Sequence, residues 1–246
     1  NKYGLSAADG GKLIVNSGTV EAEYAVLSGN NTAGDMNFEV NGGTLTSKQS
    51  EAIYMPGQQN LVVNGGVING GISARMGQIT VNNGVINGMT TAQTADTMSE
   101  FWNYSGSAWI GDAIYVWGGT YNSENAYGNT TNVKIYGGTI NGNAHRAIAV
   151  YDIGNNYEQK VNVTITKGMV SGDVVLDKAY GPHTHKVTTD FRISGGLFSK
   201  NVAEYCSVGW TTVANTNEDT KDAYPYTIGV IPEIDDNEVK ADVAIG

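Results

Sequence analysis

The chain has 246 residues and carries 14 Lys and Arg against 24 Asp and Glu, a formal net charge of −10. That balance argues against a nucleic-acid groove or an anionic membrane surface, both of which call for basic patches, and no apolar run reaches the roughly eighteen residues of a transmembrane helix. With 33 Gly, 26 Asn and only four Pro, turns must be frequent and helices scarce. The single cysteine, Cys206, excludes an intrachain disulfide and a Cys-rich metal site, and is expected to be a buried, inert thiol.

The opening "NKYGLSAADGG" has no basic-then-apolar signal and does not begin with Met, so a processed protein or an excised segment is expected. From there the chain repeats itself, most plainly in "NLVVNGGVING" (60–70) and "QITVNNGVING" (78–88). Alignment on the second turn residue gives Gly18, Gly43, Gly66, Gly84, Gly119, Gly138, Gly168 and Gly196. Five residues before each stand Leu13, Phe38, Leu61, Ile79, Ile114, Val133, Val163 and Phe191; three before stand Val15, Val40, Val63, Val81, Val116, Ile135, Ile165 and Ile193. Two after come Val20, Leu45, Ile68, Ile86, Tyr121, Ile140, Val170 and Phe198.

Alternation at period two with a β-branched excess is the mark of half-buried strands. One step further on, Asn69, Asn87 and Asn141 predict a side-chain hydrogen-bond ladder, with Thr46, Ser171 and Ser199 at the equivalent place. "YAVL" (24–27), "EAIYM" (51–55) and "RAIAV" (146–150) add a further strand per unit.

Fixed columns at a variable period are what stacked coils produce. The expected fold is all-β: a single-stranded, right-handed parallel β-helix of the pectate-lyase-like solenoid kind. About eight coils at roughly 4.8 Å each would occupy residues 1–198. "DAIYVWGGTY" (112–121) reads either as a coil of its own through Gly119 or as the further strand of the preceding coil. The first is preferred, which makes 89–111 an inserted loop.

After Gly196 the pattern changes. Ser199 reads as a helix N-cap, with Val202, Tyr205 and Cys206 on one face and Gly209 as the stop. "WTTVAN" and "AYPYTIGV" then read as a hairpin, so 199–230 is expected to be a C-terminal helix-plus-hairpin cap for the open end of the stack. Residues 231–246 read as an acidic tail or linker; from Thr216 onward eight acids face Lys221 and Lys240, −6 of the net −10.

The stretch 193–229 resembles a closing unit of β-helical surface proteins of gut Gram-positive bacteria and of structural proteins of their phages. The matching residues are Gly195, Gly196, Phe198, Ser199, Val202, Tyr205, Gly209 and Trp210. It departs from that unit at Leu197 and Cys206, and covers under a fifth of the chain, although the upstream "NGGTI"-like coils resemble the same group. The resemblance implies a fold and an extracellular setting, a virion surface or a bacterial cell surface, but no particular activity.

Catalysis by a β-helix needs carboxylates on adjacent coils, as an acid/base pair or a Ca²⁺ site. Asp35, Glu39, Glu51, Asp112, Asp152, Asp173, Asp177 and Asp190 share no offset from their glycines, nor do Arg75, Arg146 and Arg192. His145 reads as a surface residue. His183 and His185, with Asp190, are a weak candidate metal set. There is no nucleophile elbow, phosphate loop or His-Glu-x-x-His motif.

Aromatic residues crowd the interruption of the repeat. Between 101 and 127 lie eight of the 22 aromatics, of which Phe101, Trp102, Tyr104, Trp109, Trp117, Tyr121 and Tyr127 are the candidate binding residues. Aromatic faces stack on sugars and form interface hot spots, or pack a loop onto the helix.

The expectation is a non-catalytic attachment module, such as a phage fibre or decoration protein or a bacterial adhesin, with no cofactor, no nucleic acid and no membrane insertion. Its partners would be a glycan or host receptor and neighbouring subunits, with a homotrimer as one possible assembly. The alternatives are a polysaccharide lyase or glycoside hydrolase, and a carbohydrate-binding module of a larger enzyme.

Overall fold

The computed structural model describes residues 2–8, 10–29, 36–91, 111–118, 130–152, 158–176 and 187–232. The chain lays down strands in triads. β1 (Leu5–Ser6), β2 (Lys12–Val15) and β3 (Thr19–Ala22) are followed by β4 (Leu27–Ser28), β5 (Met36–Val40) and β6 (Thr44–Ser47). β7 (Ile53–Val63) runs through the first two places of the next triad before β8 (Val67–Asn69), and β9 (Ile72–Val81) does so before β10 (Val85–Asn87). Then come β11 (Ile114–Gly118), β12 (Thr130–Ile135) and β13 (Thr139–Asn141); β14 (Ile148–Asp152), β15 (Gln159–Ile165) and β16 (Met169–Ser171); and β17 (Val174–Leu176), β18 (Val187–Ile193) and β19 (Leu197–Phe198). β20 (Trp210–Ala214) and β21 (Tyr226–Val230) complete the order.

First and second places of successive triads form a 12-stranded sheet; third places, with β20 and β21, form a 9-stranded one. Pairing between triads is parallel, and in register apart from one shift between Met55 and Gln58 where β7 passes from the first place to the second. Leu13 lies beside Phe38, then Leu61, Ile79, Val133, Val163 and Phe191. Val20 lies beside Leu45, then Ile68, Ile86, Ile140, Val170 and Phe198. These predicted columns are the core: Leu45, Leu61, Ile68, Ile79, Val133 and Ile140 have no exposed surface, whereas Leu13, Val20 and Phe191, in the first and last triads, are only partly buried. A rung with a neighbour on one side only cannot be fully covered.

Between second and third strands the chain turns on a glycine with positive φ. At Gly66 φ is +85°, and a Cβ would lie 2.8 Å from the Gly43 carbonyl oxygen, so the turn needs glycine both for its conformation and for the spacing of rungs.

The predicted ladder is present. Asn69 donates to Thr46 Oγ1 (3.1 Å), Asn87 to Asn69 Oδ1 (2.9 Å) and Asn141 to Asn87 Oδ1 (2.8 Å). A second ladder, missed in the sequence, stands two residues before the glycines: Asn41 donates to Asn16 (2.9 Å), Asn64 to Asn41 and Asn82 to Asn64 (both 2.8 Å).

Two expectations are corrected. Ile114–Gly118 is not the second strand of a coil of its own: Ile114 lies between Ile72 and Ile148, and Val116 between Ala74 and Val150, so β11 belongs to the first place with "EAIYM" and "RAIAV". A period-two apolar pattern fits any strand place and cannot by itself choose between them. The helix predicted from Ser199 is reduced to one 3₁₀ turn, Ala203–Tyr205, and the described residues hold no α-helix. Ser199 Oγ instead accepts the N–H of Gly172 (2.8 Å), and Cys206 adopts extended geometry in a parallel bridge with Ile193. Contacts across rungs outweigh the local capping signal.

The hairpin forms as predicted, and β21 also pairs antiparallel with β19, aligning Phe198 with Tyr226. Asn215 braces its loop by donating to Thr220 Oγ1 (3.0 Å) and the Tyr224 carbonyl (2.8 Å).

Candidate functional site

Alignment on the first strand place, not on the glycine, brings together residues that the sequence reading scattered. Two residues before Ile53, Ile72, Ile114 and Ile148 stand Glu51, Gly70, Asp112 and Arg146; one after stand Tyr54, Ser73, Tyr115 and Ala149. Arg75, Trp117 and Tyr151 hold the third place after those isoleucines. Strand parity sends the isoleucines to the core and the tyrosines to the opposite face, yet that face is buried as well: Ser73, Tyr115 and Tyr151 are at most 1% exposed.

Asp112, with no exposed surface, is the centre of the cluster. The Tyr151 hydroxyl donates to its Oδ2, while Oδ1 accepts the Arg146 backbone N–H (3.1 Å) and lies 3.1 Å from His145 Nδ1. Arg146 donates through Nη1 to the Tyr151 hydroxyl (2.8 Å), and its guanidinium sits 5.6 Å from that ring's centroid, a cation–π arrangement. Tyr115 donates to Glu51 Oε2 at 3.4 Å, and Glu51 is 2% exposed.

Burial, and then the Glu51 charge, push the Tyr115 phenol well above its ordinary pKa. Burial followed by the Asp112 charge does the same at Tyr151, and burial raises Tyr54. The three hydroxyls therefore remain protonated donors at neutral pH. Both oxygens of Asp112 are engaged by this chain, which makes the cluster a polar clamp between rungs.

Beside the clamp, Gln159 Nε2 donates to the Arg75 carbonyl (2.7 Å) and to Thr131 Oγ1 (3.0 Å). Asp152, 9% exposed, accepts from the Val187 N–H at 3.4 Å.

His145 is thus not the surface residue expected: its side chain is 18% exposed and faces a buried carboxylate. Glu51 and Asp112 do share an offset once aligned on the strand, although Gly70 and Arg146 alternate with them and no column of carboxylates results. Asp190 pairs with Arg192 (2.8 Å) at the surface; His183 and His185 lie outside the described residues, among which no three potential ligands cluster for a metal. Of the aromatic candidates, Trp117 lies on β11, while Phe101, Trp102, Tyr104, Trp109, Tyr121 and Tyr127 lie outside the described residues. Cys206 is half-buried, with burial raising its thiol pKa. No protein family, curated protein or solved structure matches the chain.

Proposed function

We propose that this chain is a non-catalytic extracellular structural or attachment module, a virion fibre or decoration protein or a bacterial surface adhesin. On this reading the triads are successive coils of a right-handed, single-stranded, pectate-lyase-like β-helix, seven of them after the correction at β11. Segment 199–230 closes one end, with the hairpin in the role foreseen for a helix and hairpin together. The observation that carries the reading is the uninterrupted parallel register from β2 to β18, reinforced by asparagine ladders. Such a stack is stiff, and each rung is held by its neighbours. The interruptions at 89–111 and 120–129 would present side chains to a glycan, a host receptor or neighbouring subunits of a homotrimer, Thr130 and Thr131 belonging to β12. The likeness of residues 193–229 to surface and phage structural proteins agrees with this setting.

The test is quantitative detection of the chain in purified virions and in a cell-wall fraction. Stoichiometric recovery in either is expected, and absence from both refutes the reading. A second reading, a polysaccharide lyase or hydrolase, draws on the placement of Glu51 and Asp112 at one strand offset with Arg75 and Arg146 nearby. Release of oligosaccharides from a panel of acidic and neutral polysaccharides, lost in Asp112→Asn, would establish it and overturn the first.

A further inference from the structure

The second asparagine ladder stops at one rung, and what replaces it is unlike anything else in its column. The position two before the turn glycine reads Asn16, Asn41, Asn64, Asn82, Tyr136, Thr166 and Ser194. The backbone does not change there: Tyr136 N–H donates to the Val81 carbonyl (2.8 Å), as Asn82 N–H does to Val63 (2.8 Å). Only the side chain differs, an aromatic ring 42% exposed where four rungs carry hydrogen-bonded amides. Nothing in the stacking of rungs requires that ring.

The ring lines a shallow groove of about 450 Å³ over the glycine turns at Gly138, Gly168 and Gly196, with Met169 and Leu197 as apolar lining and Asn83, Lys167 and Thr227 as polar lining. The turn glycines put no side chains into the groove, so its walls come from neighbouring rungs. The Thr227 hydroxyl donates to the Gly196 carbonyl (3.1 Å), which fixes its rotor and leaves its lone pairs as acceptors. Lys167 is exposed.

We propose that this groove is a carbohydrate subsite in which one pyranose ring stacks its C–H face on Tyr136, with Met169 and Leu197 beneath it and its hydroxyls reaching Asn83, Thr227 and Lys167. A half-exposed phenol ring beside a small apolar floor with a few convergent polar groups suits the two-sided chemistry of a sugar. Lys167 adds a charge-assisted bond if the sugar is a uronate. The proposal gives the attachment reading a second contact surface, away from the aromatic interruption, and rests on that reading only for its setting.

The test is titration of the whole chain with cellotetraose, chitotetraose and tetragalacturonate, followed by NMR or calorimetry. Binding of at least one is expected, weakened about tenfold or more by Tyr136→Ala. Tyr136→Phe should keep the affinity. Tyr136→Asn restores the residue of the four preceding rungs, so it should preserve the melting temperature while binding is lost. Lys167→Ala should weaken tetragalacturonate selectively if a uronate is the ligand, and leave the neutral probes unchanged. Absence of binding by the unmodified chain, or unchanged affinity in a folded Tyr136→Asn protein, overturns the proposal. Neither result bears on recovery from virions or cell walls, so the two readings fail separately.

Discussion

Replacing Asp112 by Ala removes the acceptor shared by the Tyr151 hydroxyl, the Arg146 backbone N–H and the His145 ring. Each buried donor left without a partner costs about 1–3 kcal/mol, and breaking a buried charged cluster by deleting one member costs about 3–5 kcal/mol. Because Arg146 still reaches the Tyr151 hydroxyl through Nη1, part of the cluster survives, and about 3–5 kcal/mol is the expected total. For a chain of this size each kcal/mol moves the melting temperature by about 2–4 °C, so Asp112→Ala should melt about 6–20 °C lower. Asp112→Asn keeps one carbonyl acceptor and should lose about 1–2 kcal/mol. Thermal melts by circular dichroism, with urea titration as a second probe, measure both. Asp190→Ala is the control: its partner Arg192 is exposed, and a change within about 0.5 kcal/mol is expected. If Asp112→Ala melts no lower than Asp190→Ala, the cluster does not hold the rungs together and the clamp is wrong.

The half-buried phenol of Tyr54 and the buried phenols of Tyr115 and Tyr151 have raised pKa values in the fold. The unfolded chain therefore loses their protons first, and stability is intact below about pH 10 and falls above it, by up to about 4 kcal/mol per pH unit for three sites. Urea midpoints at pH 9 and 11 test this, and Tyr151→Phe should reduce the slope by about a third. Asn87→Ala breaks two half-buried ladder bonds, to Asn69 and from Asn141, and should cost about 1–3 kcal/mol in urea titration. Gly18 and Gly43 share φ values of +89° and +82°, but a Cβ at Gly18 meets nothing within 4 Å whereas one at Gly43 would lie 2.5 Å from the Gly18 carbonyl oxygen. Gly18→Ala should cost about 1–2 kcal/mol for its backbone alone, and Gly43→Ala about 1–3 kcal/mol more for the clash; equal melting temperatures would contradict the close approach of rungs.

What was legible in the sequence was whatever the stack repeats. Apolar residues at fixed offsets from a glycine identified the columns from Leu13 to Phe191 and from Val20 to Phe198, because parity and turn position together determine which side chains meet. The ladder at Asn69, Asn87 and Asn141 was visible for the same reason. The place of Ile114–Gly118 was not, since alternation is identical in all three strand places; the deciding sign was the preceding "DA", which matches "EA" and "RA". The 3₁₀ turn at Ala203–Tyr205 escaped because Ser199 finds its partner 27 residues back, at Gly172, and a capping argument sees only its own turn. The clamp escaped because its members follow the first strand and not the glycine. Alignment on the wrong landmark turned an ordered set into scattered charges.

The eighteen-residue step from Gly66 to Gly84, with Asn64 bonded to Asn82 and Asn69 to Asn87, carries a consequence for how such a chain changes length. The second- and third-place columns advance by one place over that step, while the first place advances by 19 residues, from Ile53 to Ile72. For those columns the step behaves as a quantum: duplication or excision of a whole unit returns each side chain to an equivalent partner, while a change of a few residues inside a column shifts all that follow. Shorter additions can be absorbed only at the corners between columns. Change in a parallel stack of this kind is thus channelled into two modes, growth by whole rungs, which keeps every pairing, and elaboration of corners, which leaves the pairing as it is.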